Sequence, residues 1–144
     1  MLRYWFILAF CGLSLIPLKS QTIFTSFQPD DKGFGIGFRT DKLYAVLSHG
    51  EYDLPIGYLE HSKLAFGGVF CPQNNHNWGQ YASFITFGVC LHSYNKQSPQ
   101  EFKRIVTYPL SIELGCGAYL ERFSLAFRFD LIKNESSIDI GIKF

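Results

Sequence analysis

The sequence predicts an all-β fold, an eight-stranded antiparallel up-and-down β-barrel, and three observations carry that prediction. Large apolar residues recur at every second position in segment after segment from Gly33 to Phe144, a period that only a strand sorts onto two faces. Turn signals divide these segments seven times, and seven connections make eight strands. No window after Gln21 keeps apolar residues at three- and four-residue spacing, so no helix competes for the same residues.

The elements follow in chain order. The first strand, 22 to 28, ends at Pro29-Asp30-Asp31-Lys32. The second, 33 to 40, is Gly33-Phe34-Gly35-Ile36-Gly37-Phe38-Arg39, with large apolar residues at even positions and Gly or Arg at odd ones. Thr40-Asp41-Lys42 turns the chain into a third strand, 42 to 51, and the signal from Asp53 to Gly57 closes it. In the fourth, 59 to 71, Leu64, Phe66 and Phe70 share a face before Pro72-Gln73-Asn74-Asn75. The fifth, 79 to 94, sets Ile85, Phe87, Val89 and Leu91 against Thr86, Gly88, Cys90 and His92, and stops at the polar run from Asn95 to Pro99. The sixth, 103 to 119, carries Ile112, Leu114 and Cys116 up to Leu120-Glu121-Arg122. The seventh, 122 to 131, opposes Phe123, Leu125, Phe127, Phe129 and Leu131 to Ser124, Ala126, Arg128 and Asp130. After Asn134-Glu135-Ser136 the eighth, 136 to 144, alternates Ile138, Ile140, Ile142 and Phe144 with Asp139, Gly141 and Lys143.

Composition bounds the rest. The chain has 144 residues, 47% hydrophobic, 17% aromatic and 17% charged, which is one domain at most and greasier than a typical small soluble protein. Met1-Leu2-Arg3, the apolar run from Tyr4 to Leu18 and Lys19-Ser20 read as a cleavable secretory signal peptide over 1–20, ahead of a barrel over 21–144. About 15 apolar residues ending near Pro17 fall short of the roughly 20 that a membrane-spanning helix needs, and Phe10 is too bulky before Cys11 for a lipoprotein box. Without that leader 11 basic residues face 12 acidic ones, a balance that argues against nucleic acid as the main partner. Cys71, Cys90 and Cys116 then form an odd set without a CxxC or Cys/His zinc spacing, so one disulfide at most is open to them and neither metal nor cofactor is expected.

A sheet with one apolar and one mixed face closes either as a soluble barrel, apolar face inward, or as a transmembrane β-barrel with that face toward lipid. The mixed face decides. It holds the small residues Gly35, Gly37, Gly115, Gly117, Ser124, Ala126 and Gly141 and the charged Arg39, Glu113, Arg128, Asp130, Asp139 and Lys143. Small residues and mutually paired charges suit the narrow interior of an eight-stranded membrane barrel, whereas glycine- and alanine-rich surfaces are poorly solubilised.

With this pattern the chain resembles small outer-membrane β-barrel proteins of Gram-negative bacteria, and more loosely the short exported barrels of the Bacteroidetes. The specific part is the ending Ser137-Ile138-Asp139-Ile140-Gly141-Ile142-Lys143-Phe144, in which Ile138, Ile140, Ile142 and the terminal Phe144 look like the signal read by the barrel-assembly machinery. The resemblance implies outer-membrane lipid and that machinery as partners and the outer membrane as destination, with no surface ligand named. It also implies both termini in the periplasm and the connections near 29 to 32, 52 to 58, 95 to 102 and 132 to 135 outside the cell.

Candidate chemistry is sparse. Gly33, Gly35 and Gly37 lack the Lys-Ser/Thr and helix start of a phosphate loop. His61-Ser62 and His92-Ser93 invite comparison with outer-membrane lipid A deacylases, but neighbours on a strand point to opposite faces and form no dyad; a composite of His92 and Glu113 on the inner face stays open. Arg39, Glu113, Arg128, Asp130, Asp139 and Lys143 either line a pore or plug the interior as a structural network, and eight strands leave little lumen for a pore. Tyr44, Tyr58, Trp78, Tyr81, Tyr94, Tyr108 and Tyr119 lie toward strand ends, where an aromatic girdle would place them. The expected function is thus a non-enzymatic outer-membrane barrel with a structural or surface-interaction role. The alternatives are a lipid-modifying enzyme and a soluble lipocalin-like barrel carrying an apolar ligand.

Overall fold

A computed structural model describes residues 21–54, 57–71, 81–95 and 109–144. The leader assigned to 1–20, Trp78, Tyr108 and most of the connections after Cys71 and Asn95 lie outside the described residues. Eight strands follow one another as β1 (Thr22–Gln28), β2 (Gly33–Arg39), β3 (Leu43–Leu54), β4 (Gly57–Phe70), β5 (Tyr81–Asn95), β6 (Leu110–Leu120), β7 (Phe123–Asp130) and β8 (Glu135–Lys143). Each pairs antiparallel with the next, and β8 returns to β1 through a register running from Thr22↔Lys143 to Phe27↔Ile138, so the barrel is closed. Closure satisfies the backbone groups that an open sheet would leave bare at two edges.

The strand bounds differ from the sequence expectation mainly at one end. β3 runs on to Leu54, through Asp53 and into the expected turn, because every residue from Leu43 to Leu54 finds a partner on β4 down to Leu54↔Gly57. Gly57 takes the reversal, at φ 97°, where a side chain would be strained. β6 is described from Leu110 rather than from 103.

Every strand sorts its residues as the period of two requires. Along β7, Phe123, Leu125 and Phe127 face outward while Ser124, Ala126, Arg128 and Asp130 are buried. Along β8, Ile138, Ile140 and Ile142 face outward while Ser137, Asp139 and Gly141 are buried. The outer wall is therefore a band of Ile, Leu and Phe, and the lumen takes nearly all the buried polar groups. This is the reverse of a lipocalin-like barrel, whose large apolar residues would line the cavity.

Glycines make room for the large side chains inside. A Cβ at Gly37 would lie 2.4 Å from the Phe24 ring, one at Gly117 2.4 Å from the Phe84 ring, one at Gly115 2.6 Å from Arg128 Cγ and one at Gly88 2.3 Å from the Tyr44 hydroxyl. Gly88 also faces the Phe66 carbonyl oxygen at 2.4 Å, so neither a rotamer change nor a small shift clears the clash. Gly88→Ala is expected to cost about 1–3 kcal/mol by overpacking, read as a lower urea midpoint for unfolding of the detergent-solubilised barrel.

Candidate functional site in the barrel lumen

The inward-facing residues form three layers between the ends of the barrel. At the end where Gln21 and Phe144 meet, Arg39 lies fully buried with its guanidinium carbon 4.1 Å from the Phe84 ring centre, 5.0 Å from Phe24 and 5.6 Å from Tyr119. Its Nε donates to the Tyr119 hydroxyl at 3.2 Å and its Nη2 to Ser124 Oγ at 3.0 Å. Among the described residues no carboxylate comes within ion-pairing distance of Arg39. Aromatic faces, which attract cations through their quadrupoles, replace it.

The middle layer is an ion cluster centred on Arg128. Nε and Nη2 donate to the two oxygens of Asp139 at 2.7 and 2.9 Å, Nη2 also to Ser26 Oγ at 2.9 Å, and Nη1 to Glu113 Oε1. Glu113 accepts a further bond from the Tyr44 hydroxyl at 2.8 Å and faces Lys63 Nζ at 3.0 Å. Lys63 lies 3.9 Å from Asp130, which links this cluster to the next layer. A guanidinium fork against two carboxylates is the geometry that offsets the cost of burying such charges.

The layer nearest the loops is a chain of hydrogen bonds across the lumen. Asp31 Oδ2 lies 2.6 Å from His61 Nδ1, His61 Nε2 lies 2.8 Å from His92 Nδ1, and His92 Nε2 lies 2.7 Å from Ser111 Oγ and 3.0 Å from Asp130 Oδ2. Ser111 donates its hydroxyl to Asp130. The two imidazole planes are within 7° of parallel, and the Tyr94 ring lies within 9° of His61 at 4.7 Å between centres. Tyr52 stacks on His61 and donates to Glu135. Asp31 enters from the β1–β2 turn, tied by its own carbonyl accepting from Glu51 N–H at 2.7 Å and its carboxylate accepting from Gly33 N–H at 3.0 Å. Asp130 likewise anchors the β7–β8 turn, accepting from the N–H groups of Ile132 and Lys133 at 3.1 and 2.9 Å.

Of the charged residues expected inside, Glu113, Arg128, Asp130 and Asp139 fall within one continuous network, whereas Arg39 sits apart among aromatic rings. Lys143 is only half-buried at the same end as Arg39, its ammonium 5.5 Å from the Tyr119 ring centre. Lys63, His61 and Asp31 join the network although the sequence did not single them out for it. For Lys63 and His61 the signal was present, because Leu64, Phe66 and Phe70 fix the outward parity of β4 and leave odd positions inside. Asp31 sits in a turn, where no periodicity applies.

Two expectations are corrected. Tyr44 and Tyr119 are buried in the lumen and Tyr94 stacks on the histidines, so these three do not belong to an outer girdle; Tyr58 alone of the expected set is exposed among the described side chains. The Tyr44 hydroxyl donates to Glu113 and the Tyr119 hydroxyl accepts from Arg39 inside, which outweighs any gain at a headgroup surface. The composite of His92 with Glu113 is not formed either: both face inward, but His92 engages His61, Ser111 and Asp130, and Glu113 engages Tyr44, Arg128 and Lys63. Nor do Ser111, His92 and Asp130 make a hydrolytic triad, since serine and carboxylate share one nitrogen where a triad needs them on opposite ones.

The thiols Cys71, Cys90 and Cys116 are all free, and Cys90 is buried while Cys116 faces outward. At the outer rim of the loop end, Lys32 pairs with Asp53 and Ser136 donates to Asp30. The hydrogen bond to Asp53 holds the Lys32 ammonium above its ordinary range, but both groups are well exposed and water screens the pair.

No protein-family model matches the chain, and no curated protein sequence matches it. Among solved structures it is similar to that of the Yersinia pestis outer membrane protein Ail in a phospholipid bilayer nanodisc, with a TM-score of 0.51 over 87% of this chain and 97% of that one at 12% identity. At this identity the likeness is one of fold, and that fold is a closed β-barrel.

Proposed function

We propose that the chain is an exported outer-membrane β-barrel of a Gram-negative bacterium, non-enzymatic, with a sealed interior and a structural or surface-interaction role exercised through its wall and its loops. The observation that carries this reading is the inversion of the barrel: Ile, Leu and Phe side chains face outward along every strand while Arg39, Lys63, Glu113, Arg128, Asp130 and Asp139 are buried within. Lipid is the solvent in which such a wall is stable, because transfer of this band to water would expose a large contiguous apolar surface. The fold likeness to a barrel solved in a bilayer nanodisc supports the same setting. Ser111, the hydroxyl nearest a histidine in the lumen among the described residues, is fully buried and donates to Asp130.

The ending Ile138, Ile140, Ile142 and Phe144 is the proposed recognition signal for the barrel-assembly machinery. Phe144 lies exposed beyond β8, with only its backbone N–H bonded, to the Gln21 carbonyl at 2.8 Å, so its ring is available to a partner and contributes little to the folded barrel.

Fractionation of expressing cells tests the reading. The protein is expected in the outer membrane, to migrate faster on detergent gels before boiling than after, and to give no steady conductance in a planar bilayer. Recovery as a monomer from the periplasm without detergent would refute the membrane assignment. A lipid A profile that changes with expression, and reverts in His92→Ala, would replace the non-enzymatic reading with the lipid-modifying one.

A further inference from the structure

The loop end of the lumen gathers three metal-ligating side chains from the neighbouring strands β4 and β5 and from β8, which adjoins neither. His61 on β4, His92 on β5 and Glu135 on β8 each offer one ligand atom within 4.8 Å of the other two, and His61 Nε2 and His92 Nδ1 face each other at 2.8 Å. Each imidazole is held by its far nitrogen, His61 Nδ1 by Asp31 at 2.6 Å and His92 Nε2 by Asp130 at 3.0 Å with Ser111 beside it. Carboxylates in that position fix the tautomer of a metal-ligating histidine and raise its basicity. Glu135 is oriented in turn by the Tyr52 hydroxyl.

A cation between the facing nitrogens fits this arrangement, because both rings then keep an N–H for Asp31 and Asp130 and turn a lone pair toward the ion. On a tetrahedral ion with bonds of about 2.0–2.1 Å two ligating nitrogens stand about 3.3 Å apart, so the rings need part only slightly from the 2.8 Å that separates them.

We propose that His61, His92 and Glu135 bind one divalent transition-metal ion of the kind that favours imidazole, such as Zn²⁺ or Cu²⁺, with water completing its coordination. A second grouping, Cys90, His92 and Asp130, is also close enough to chelate. The Lys63 ammonium 3.9 Å from Asp130 opposes a further cation there. The ion at His61 and His92 would brace β4 and β5 against β8 across the lumen. Its site lies inside the barrel, and so does not depend on what surrounds the wall.

The folded full-length protein in mild detergent, stripped with a chelator, is titrated with ZnCl₂ by calorimetry. One ion per chain is expected, with affinity at least about tenfold weaker in Glu135→Gln and about 10–100-fold weaker in Asp31→Asn, which removes the carboxylate behind His61. With Cu²⁺ in the unaltered protein, electron paramagnetic resonance is expected to show hyperfine coupling to two imidazole nitrogens. Absence of binding at millimolar Zn²⁺ overturns the proposal, as does equal affinity in both variants, which would place the ion elsewhere, for example at the exposed His49. Should a variant fail to fold, the copper spectrum decides alone, and coupling to fewer than two nitrogens overturns the site.

Discussion

Arg128→Met is expected to destabilise the barrel by about 3–5 kcal/mol, the cost of leaving buried charges without their partner. The substitution keeps an unbranched stem, though a shorter one, and removes every donor that Arg128 gives to Asp139, Glu113 and Ser26. Lys63 remains near Glu113 at 3.0 Å, so Asp139 bears most of the loss. Arg128→Lys should cost less, because an ammonium restores the charge but not the fork that engages both oxygens of Asp139. Combining Arg128→Met with Asp139→Asn should recover much of the stability, since Glu113 keeps Lys63 as its partner and the penalty arises more from unpaired charge than from lost packing. Urea unfolding in vesicles, followed by the gel mobility of folded and unfolded forms, measures all three. Equal stability of Arg128→Met and the parent protein would contradict an ion cluster sealed from water.

The second large effect concerns the outer wall. Leu114 lies near mid-height of β6, opposite Phe87 and Phe129 and facing outward, and Leu120 faces outward at the end of the same strand. Arginine at a bilayer midplane costs about 2–4 kcal/mol and near an interface about 0–1 kcal/mol. Leu114→Arg should therefore lower the unfolding free energy in phospholipid vesicles much more than Leu120→Arg. On a water-facing wall the two would be equally mild, because neither side chain supports the core from outside. The comparison uses the same residue change on one strand, so intrinsic strand preference cancels and depth remains.

Much of the fold was legible because a closed barrel amplifies one signal. Phe123, Leu125 and Phe127 on β7 and Ile138, Ile140 and Ile142 on β8 declare the outward face by parity alone, and parity carries Arg128, Asp130 and Asp139 inward with it. What parity does not carry is distance along the barrel axis or across the lumen. Arg39 and Arg128 share a face in the sequence reading, yet one lies among Phe24, Phe84 and Tyr119 and the other among carboxylates. The tyrosines misled for a related reason. Tyr44 and Tyr119 lie close to strand ends, but an inward Cβ and a glycine opposite, such as Gly88 under Tyr44, draw the ring into the lumen. The His61–His92 pair is assembled by the β4–β5 register, in which His61 lies opposite Tyr94 and Lys63 opposite His92. A diagonal contact of that kind depends on strand twist and tilt, and Asp31 reaches it from a turn.

A nitroxide attached to Cys116 tests the orientation of the wall most directly. Cys116 is an exposed outward-facing thiol near the middle of β6, and in a variant where it is the only cysteine the label reports the medium outside the barrel. In phospholipid vesicles its collisions with dissolved oxygen should far exceed those with a water-soluble nickel chelate, the signature of a hydrocarbon environment. Preferential collision with the nickel chelate would contradict a lipid-facing wall.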